Sequence, residues 1–128
     1  MARENKFLES VIFLNQIRYE TAFQVTNTLS DDADRFILPM ALQMLIENAI
    51  KHNAFSASRP LRMTIAEENG YIVVKNNLQP QRTTMVSNQV GLNNIISRYA
   101  YLTNKEVAIE KTEDQFIVKL PVLYAKRV

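Results

Sequence analysis

Cysteine and tryptophan are absent from the 128 residues, histidine occurs once, and there are two glycines and four prolines. Without cysteine there can be no disulfide and no thiolate metal site, and a single histidine excludes multi-histidine zinc or iron centres. Two glycines, Gly70 and Gly91, leave few places where backbone can turn freely or approach a ligand closely. No apolar run approaches the roughly 18 residues of a membrane span and no signal peptide pattern opens the chain, so a cytoplasmic setting is expected, with any membrane anchor outside this sequence. The 15 Lys+Arg against 13 Asp+Glu give a formal charge of +2, spread along the chain with no basic block beyond Lys126–Arg127. A pI near 9 therefore gives no ground for a nucleic-acid partner.

What is present is apolar residues, 47% of the chain, enough for the core of one domain. Glu4–Glu20 predicts a helix with a broad stripe of Phe7, Leu8, Val11, Ile12, Leu14 and Ile17. Phe23 and Val25 alternate with polar neighbours as in a half-buried strand, Ser30–Arg35 predicts a turn, and Phe36–Leu38 runs into a second helix over Pro39–Phe55. After a loop at Ser56–Pro60, Leu61, Met63 and Ile65 alternate. Asn69–Gly70 then predicts a two-residue hairpin turn, and Tyr71–Lys75 returns with Ile72 and Val74 on one face and Tyr71 and Val73 on the other. Gln79–Gln89 has no period and reads as a loop. Gly91–Thr103 predicts a third helix, with Leu92, Ile95, Ile96, Tyr99 and Leu102 inward. Val107/Ile109 and Phe116/Val118/Leu120 form a closing hairpin across Thr112–Gln115, after which Pro121 should limit pairing. The expected class is α+β: a two-layer α/β sandwich whose mixed, mostly antiparallel sheet is covered on one face by helices.

The stretch Pro39–Phe55, PMALQMLIENAIKHNAF, organises the chain. Pro39 suits a first helical turn. At about 100° per residue, Leu42, Leu45, Ile46, Ala49, Ile50 and Asn53 share one arc, the first five facing the core. Glu47, Asn48, Lys51 and His52 share an opposite arc of roughly 140°. An acid, a carboxamide, an ammonium and an imidazole thus crowd one face. Glu47 and Lys51 at i, i+4 are also an ordinary helix-stabilising pair, and periodicity alone favours that plainer reading.

The order of residues adds more. Leu45–Ile46–Glu47–Asn48–Ala49–Ile50–Lys51–His52 resembles, over eight consecutive residues, the N-box of sensor histidine kinases, in particular the LytS-like kinases. Val90–Gly91–Leu92–Asn93–Asn94–Ile95 with Arg98–Tyr99 resembles that family's G2 region, and Val74–Lys75–Asn76–Asn77–Leu78 stands in place of V-x-D-N-G at the end of the adenine-binding strand. The resemblance covers nearly the whole chain. It implies the ATP-binding fold shared with gyrase and Hsp90, with a mobile lid over most of Gln79–Val90. It also implies a division into residues 1–20, the end of a linker helix after a phosphoacceptor region this chain lacks, and 21–128, the catalytic domain. A helix packing on its own sheet accounts equally well for the first segment.

By the same resemblance, the chain would transfer the γ-phosphate of Mg·ATP to a histidine on a helical domain of the same kinase, for a response regulator, of which the LytTR type is one candidate. The parent would be dimeric and anchored in the inner membrane. Asn48 would offer Mg²⁺ its carboxamide oxygen, a hard ligand sharing the metal with phosphates. Glu47 would orient or deprotonate the attacking imidazole, Lys51 would meet the phosphates, and His52, Asn76, Gly91 and Leu92 would complete the ATP site. The departures are Asn76 for Asp, Leu78 for Gly and Gln89 for the first lid glycine. They leave open a second function: a degenerate, non-catalytic domain of the same fold serving dimerisation or regulation. Gly91 remains readable as a helix-entry residue, and Asn76 as a turn cap after its strand.

Overall fold

A computed structural model describes residues 2–29, 35–36, 40–79 and 89–124. The main layer is a five-stranded sheet built from β1 (Phe23–Asn27), β3 (Leu61–Glu68), β4 (Tyr71–Asn77), β5 (Ala108–Lys111) and β6 (Gln115–Pro121), in the order β1-β3-β4-β6-β5. Helices α1 (Ala2–Tyr19), α2 (Ala41–His52) and α3 (Gln89–Leu102) complete the domain. The segment joining β1 to β3 contains α2, and these two strands are parallel, as a long crossover connection requires. The other neighbours are antiparallel. The result is the expected α/β arrangement with a mixed sheet.

Local chemistry accounts for the strand joints. Asn69 and Gly70 take φ of +52° and +81°, the two positive values of a tight turn whose twist matches its flanking strands. Between β5 and β6, Thr112 N–H donates to the Gln115 carbonyl at 2.9 Å, and the Thr112 hydroxyl accepts from Gln115 N–H at 3.0 Å. The registers Met63↔Asn76, Ile65↔Val74, Val74↔Val118 and Ile72↔Leu120 put alternate residues of three strands on one face. Ile65, Ile72 and Leu120 there are fully buried, as are Leu61 of β3 and Ile46 of α2. Each contributes on the order of 1.5–3 kcal/mol relative to exposure. Tyr99 and Ile95 of α3 and Ile12 of α1 close the same core.

Several expectations are corrected. In α1, Ile12 is buried and Val11 packs beside it, but Leu14 and Ile17 are 65% and 60% exposed, as is Phe13 at 62%. Its apolar positions wrap further round the helix than its contacts with β1 and α2 can cover; the side chains of Phe7 and Leu8 lie outside the described residues. In α3, Leu92, Ile95 and Tyr99 face the core, whereas Ile96 and Leu102 are exposed, Leu102 being the helix's last residue. That helix starts at Gln89 rather than Gly91. Phe36 does not lead into α2: β2 (Arg35–Phe36) pairs antiparallel with β7 (Leu123–Tyr124). Pro121 does not stop pairing either. It lies opposite Tyr71 as the last residue of β6, Val122 N–H donates to the Gly70 carbonyl at 3.0 Å, and the chain then enters β7. A proline at a strand's end forfeits no ladder bond that the turn cannot supply. Val107 precedes β5 but still packs on the core. Of the turn expected over Ser30–Arg35, Arg35 lies in β2, and of the loop and lid expected over Gln79–Val90, Gln89 and Val90 lie in α3; residues 30–34 and 80–88, like Pro39, lie outside the described residues.

Candidate functional site

Helix α2 begins after Met40, a left-handed residue with φ +74° whose carbonyl accepts Met44 N–H at 2.8 Å, and ends where Asn53 turns extended. It is shorter than the expected Pro39–Phe55. Ala41, Leu42, Leu45, Ile46 and Ala49 are buried, and Ile50 packs against the core from a half-buried position. The opposite face carries Glu47 and Lys51, both exposed, and Asn48 and His52, both half-buried. Lys51 and His52 occupy the last turn, where the partial negative charge of the helix end favours cations. Glu47 accepts a hydrogen bond from Gln43 Nε2 at 3.1 Å, so its partner one turn away is a neutral amide. Gln43 Oε1 is buried without a partner among the described residues.

Asn76 sits inside β4 and not after it. It is 5% exposed, opposite Met63 on one side and Phe116 on the other, on the face the helices cover. Its Nδ2 donates to the Asn77 carbonyl at 2.9 Å, an arrangement distinct from the turn cap considered above. Asn77 points to the opposite face, accepting Arg62 N–H at 2.7 Å and donating to the Pro60 carbonyl at 3.1 Å. Leu78 N–H donates to Asp114 at 2.9 Å. The exit of β4 is therefore held from two sides.

The tie between β4 and α2 is Asn53. It is 2% exposed; Nδ2 donates to the Ala49 carbonyl at 2.8 Å and Oδ1 accepts Gln79 N–H at 2.7 Å. Ala54 N–H in turn donates to the Gln79 carbonyl at 2.7 Å. His52 and Lys51 thus stand one and two residues from a joint that lies three residues beyond Asn76. Gly91 is the third residue of α3, among the first four whose N–H groups lack an intrahelical acceptor, and Leu92 packs on the core. Asn48, Lys51 and His52 thus share one helix face, Asn76 lies buried on a strand three residues before the joint, and Gly91 stands in the first turn of α3.

No protein-family model and no curated protein sequence matches this chain. Solved structures do. The catalytic domain of histidine kinase ThkA, in a nucleotide-free form, superposes with a TM-score of 0.57 at 19% identity, over 91% of this chain and 92% of that one. This chain has the fold of a histidine kinase catalytic domain. The Acinetobacter baumannii histidine kinase AdeS gives a TM-score of 0.58 at 14% identity, over 93% of this chain but 64% of its own. Full-length ShkA, solved in complex with AMPPNP, gives 0.52 at 17%, over 99% of this chain and 31% of its own. The chain thus spans under two thirds of AdeS and a third of ShkA. On the kinase fold, the N-box-like residues lie on α2, the G2-like residues open α3, and Asn76 ends the inner row of β4.

Gln43, Asn53, Asn77 and Gln79 are the polar residues that sequence reasoning passed over. Asn53 had a legible signal: a carboxamide on an otherwise apolar arc must find partners if buried. Gln43 bonds Glu47 at the local i, i+4 spacing of one helix, whereas Asn77 and Gln79 bond across loops and left no local sign.

Proposed function

We propose that this chain is the ATP-binding catalytic domain of a two-component sensor histidine kinase, passing the γ-phosphate of Mg·ATP to a histidine on a helical domain beyond it. The observation that carries the reading is the eight-residue N-box-like run on α2, in a chain whose fold is that of histidine kinase catalytic domains. In phosphoryl transfer a protein mainly positions groups and neutralises charge. Asn48 would present a hard oxygen of the kind Mg²⁺ prefers, to an ion that would share its shell with phosphate oxygens and water. Lys51 is exposed and can reach outward as a point charge to phosphates. Glu47, held by Gln43, would orient the acceptor imidazole. His52 would pack beside the nucleotide, Asn76 would meet the base, and Gly91 with Leu92 would present helix N–H groups to phosphate. Residues 1–20 would continue toward the acceptor helices, in a dimeric parent anchored in the inner membrane, its soluble domain cytoplasmic and its partner a response regulator, of which the LytTR type is one candidate. Calorimetric titration with ATP, with and without Mg²⁺, tests the reading: saturable binding strengthened by the metal is expected, and no heat at millimolar ATP would refute it.

The second reading, a degenerate, non-catalytic domain serving dimerisation or regulation, is favoured by Asn76, whose amide nitrogen already gives one of its two N–H groups to the Asn77 carbonyl, and by the presence of two glycines in the whole chain. Asn76→Asp separates the two. An aspartate can only accept, which suits the adenine amino group and opposes the guanine oxygen, whereas an amide rotated by half a turn serves either base. The substitution is expected to raise the ATP/GTP affinity ratio several-fold while lowering stability by about 1 kcal/mol through the lost bond to Asn77. Parallel ATP and GTP titrations with thermal melts check it; an unchanged ratio would remove Asn76 from the site.

A further inference from the structure

We propose that Asn53 is a positioning residue for the nucleotide site, the peg that sets the end of α2 against the exit of β4. The inference rests on the ATP-binding reading above. Only two polar side chains are classed as buried among the described residues, Asn76 at 5% and Asn53 at 2%. Desolvating a carboxamide is unfavourable unless its donor and acceptor are both used. Asn53 uses both, and it uses them on different elements: Nδ2 closes the last turn of α2 through Ala49, and Oδ1 takes Gln79 N–H. The reciprocal bond from Ala54 N–H to the Gln79 carbonyl makes the joint two-stranded, and all three bonds are between 2.7 and 2.8 Å.

The joint reaches further on the β4 side. Gln79 Nε2 donates to the Arg59 carbonyl at 3.1 Å, and Asn77 holds Pro60 and Arg62, so the loop leading into β3 is tied to the same point. The end of α2 and the loop a few residues after it are therefore both tied to the exit of β4, 26 residues beyond Asn53, with the buried Asn53 amide on the α2 side. Lys51 and His52 are carried on one of these segments and Asn76 on another. Losing the peg would let the helix face and the strand end move relative to each other, and displacements on the ångström scale at a polar site can cost large factors in function.

Two substitutions isolate this role. Asn53→Leu keeps the branched outline but removes both polar atoms, the acceptor for Gln79 included; Asn53→Asp keeps that acceptor and loses only the donor to Ala49. Amide hydrogen exchange at Gln79, read against Val74 in the interior of β4, separates local opening from loss of the whole fold. In Asn53→Leu, Gln79 is expected to lose protection while Val74 keeps it, and ATP is expected to bind on the order of tenfold more weakly. In Asn53→Asp, both protection at Gln79 and affinity should return most of the way. Unchanged protection at Gln79 in Asn53→Leu overturns the proposal. So does unchanged ATP affinity alongside an opened Gln79, or an Asn53→Asp variant as impaired as Asn53→Leu. If the unaltered chain binds no ATP, the nucleotide reading itself fails and takes the site role with it, while the exchange rates still decide whether Asn53 holds the joint.

Discussion

Ile46→Ala is expected to destabilise the domain by about 2–5 kcal/mol, whereas Asn48→Ala, two residues further on, should leave the fold almost intact and impair Mg·ATP binding. Ile46 is fully buried beneath α2 in the cluster that joins the helix to the sheet, so truncation removes apolar contact and leaves a cavity that close-packed neighbours cannot fill. For a domain of this size the loss corresponds to a fall in Tm of roughly 10–20 °C. Asn48 is half-buried at the flank of the polar face, and its replacement opens no cavity in that core. Its cost should stay near 1 kcal/mol, the worth of a typical side-chain hydrogen bond. Asn48→Asp should likewise bind Mg·ATP poorly, since the carboxylate adds charge beside the phosphates. Thermal melts combined with calorimetric titration check the pair. Full ATP affinity in folded Asn48→Ala would take Asn48 out of the site, and a melt as low as that of Ile46→Ala would give it a structural role instead.

The isolated chain is expected to show no phosphohistidine even when saturated with Mg·ATP. Its one histidine, His52, is the last residue of α2, beside the lysine assigned to the phosphates. Transfer requires the attacking nitrogen in line with the breaking bond, on the far side of the γ-phosphorus from the leaving oxygen. In the proposed site the His52 ring would line the nucleotide's own wall, half-buried in its helix, and could not take that position without unwinding the end of α2, where Asn53 and Ala54 are bonded to Gln79. Incubation with radiolabelled ATP, followed by acid and alkali treatment, gives the readout. Acid-labile, alkali-stable label on the chain would overturn the expectation, and mapping it to His52 would reassign that residue from binding to acceptor.

The elements were largely legible in the sequence because each is dictated at short range. Period-two alternation at Leu61–Met63–Ile65 and Phe116–Val118–Leu120 places those residues on one sheet face, Asn69–Gly70 demands a positive-φ turn, and the α2 pattern separates Ile46 from Glu47 and Asn48 before any partner is known. The order of the N-box-like and G2-like residues likewise pointed to a histidine kinase-type fold, which the superposition with ThkA bears out. What tertiary structure alone decided is where each pattern finds its partner. The apolar positions of α1 and α3 outnumber the surface available to cover them, so Leu14, Ile17, Ile96 and Leu102 stay exposed although their spacing is that of buried residues. Phe36 and Leu123 pair across 87 positions, and Asn53 meets Gln79 across 26. Periodicity reports which residues share a face but carries no term for what lies opposite, and a buried amide declares only that it needs partners. Packing chose those partners, and with them the spacing between the polar face of α2 and the end of β4.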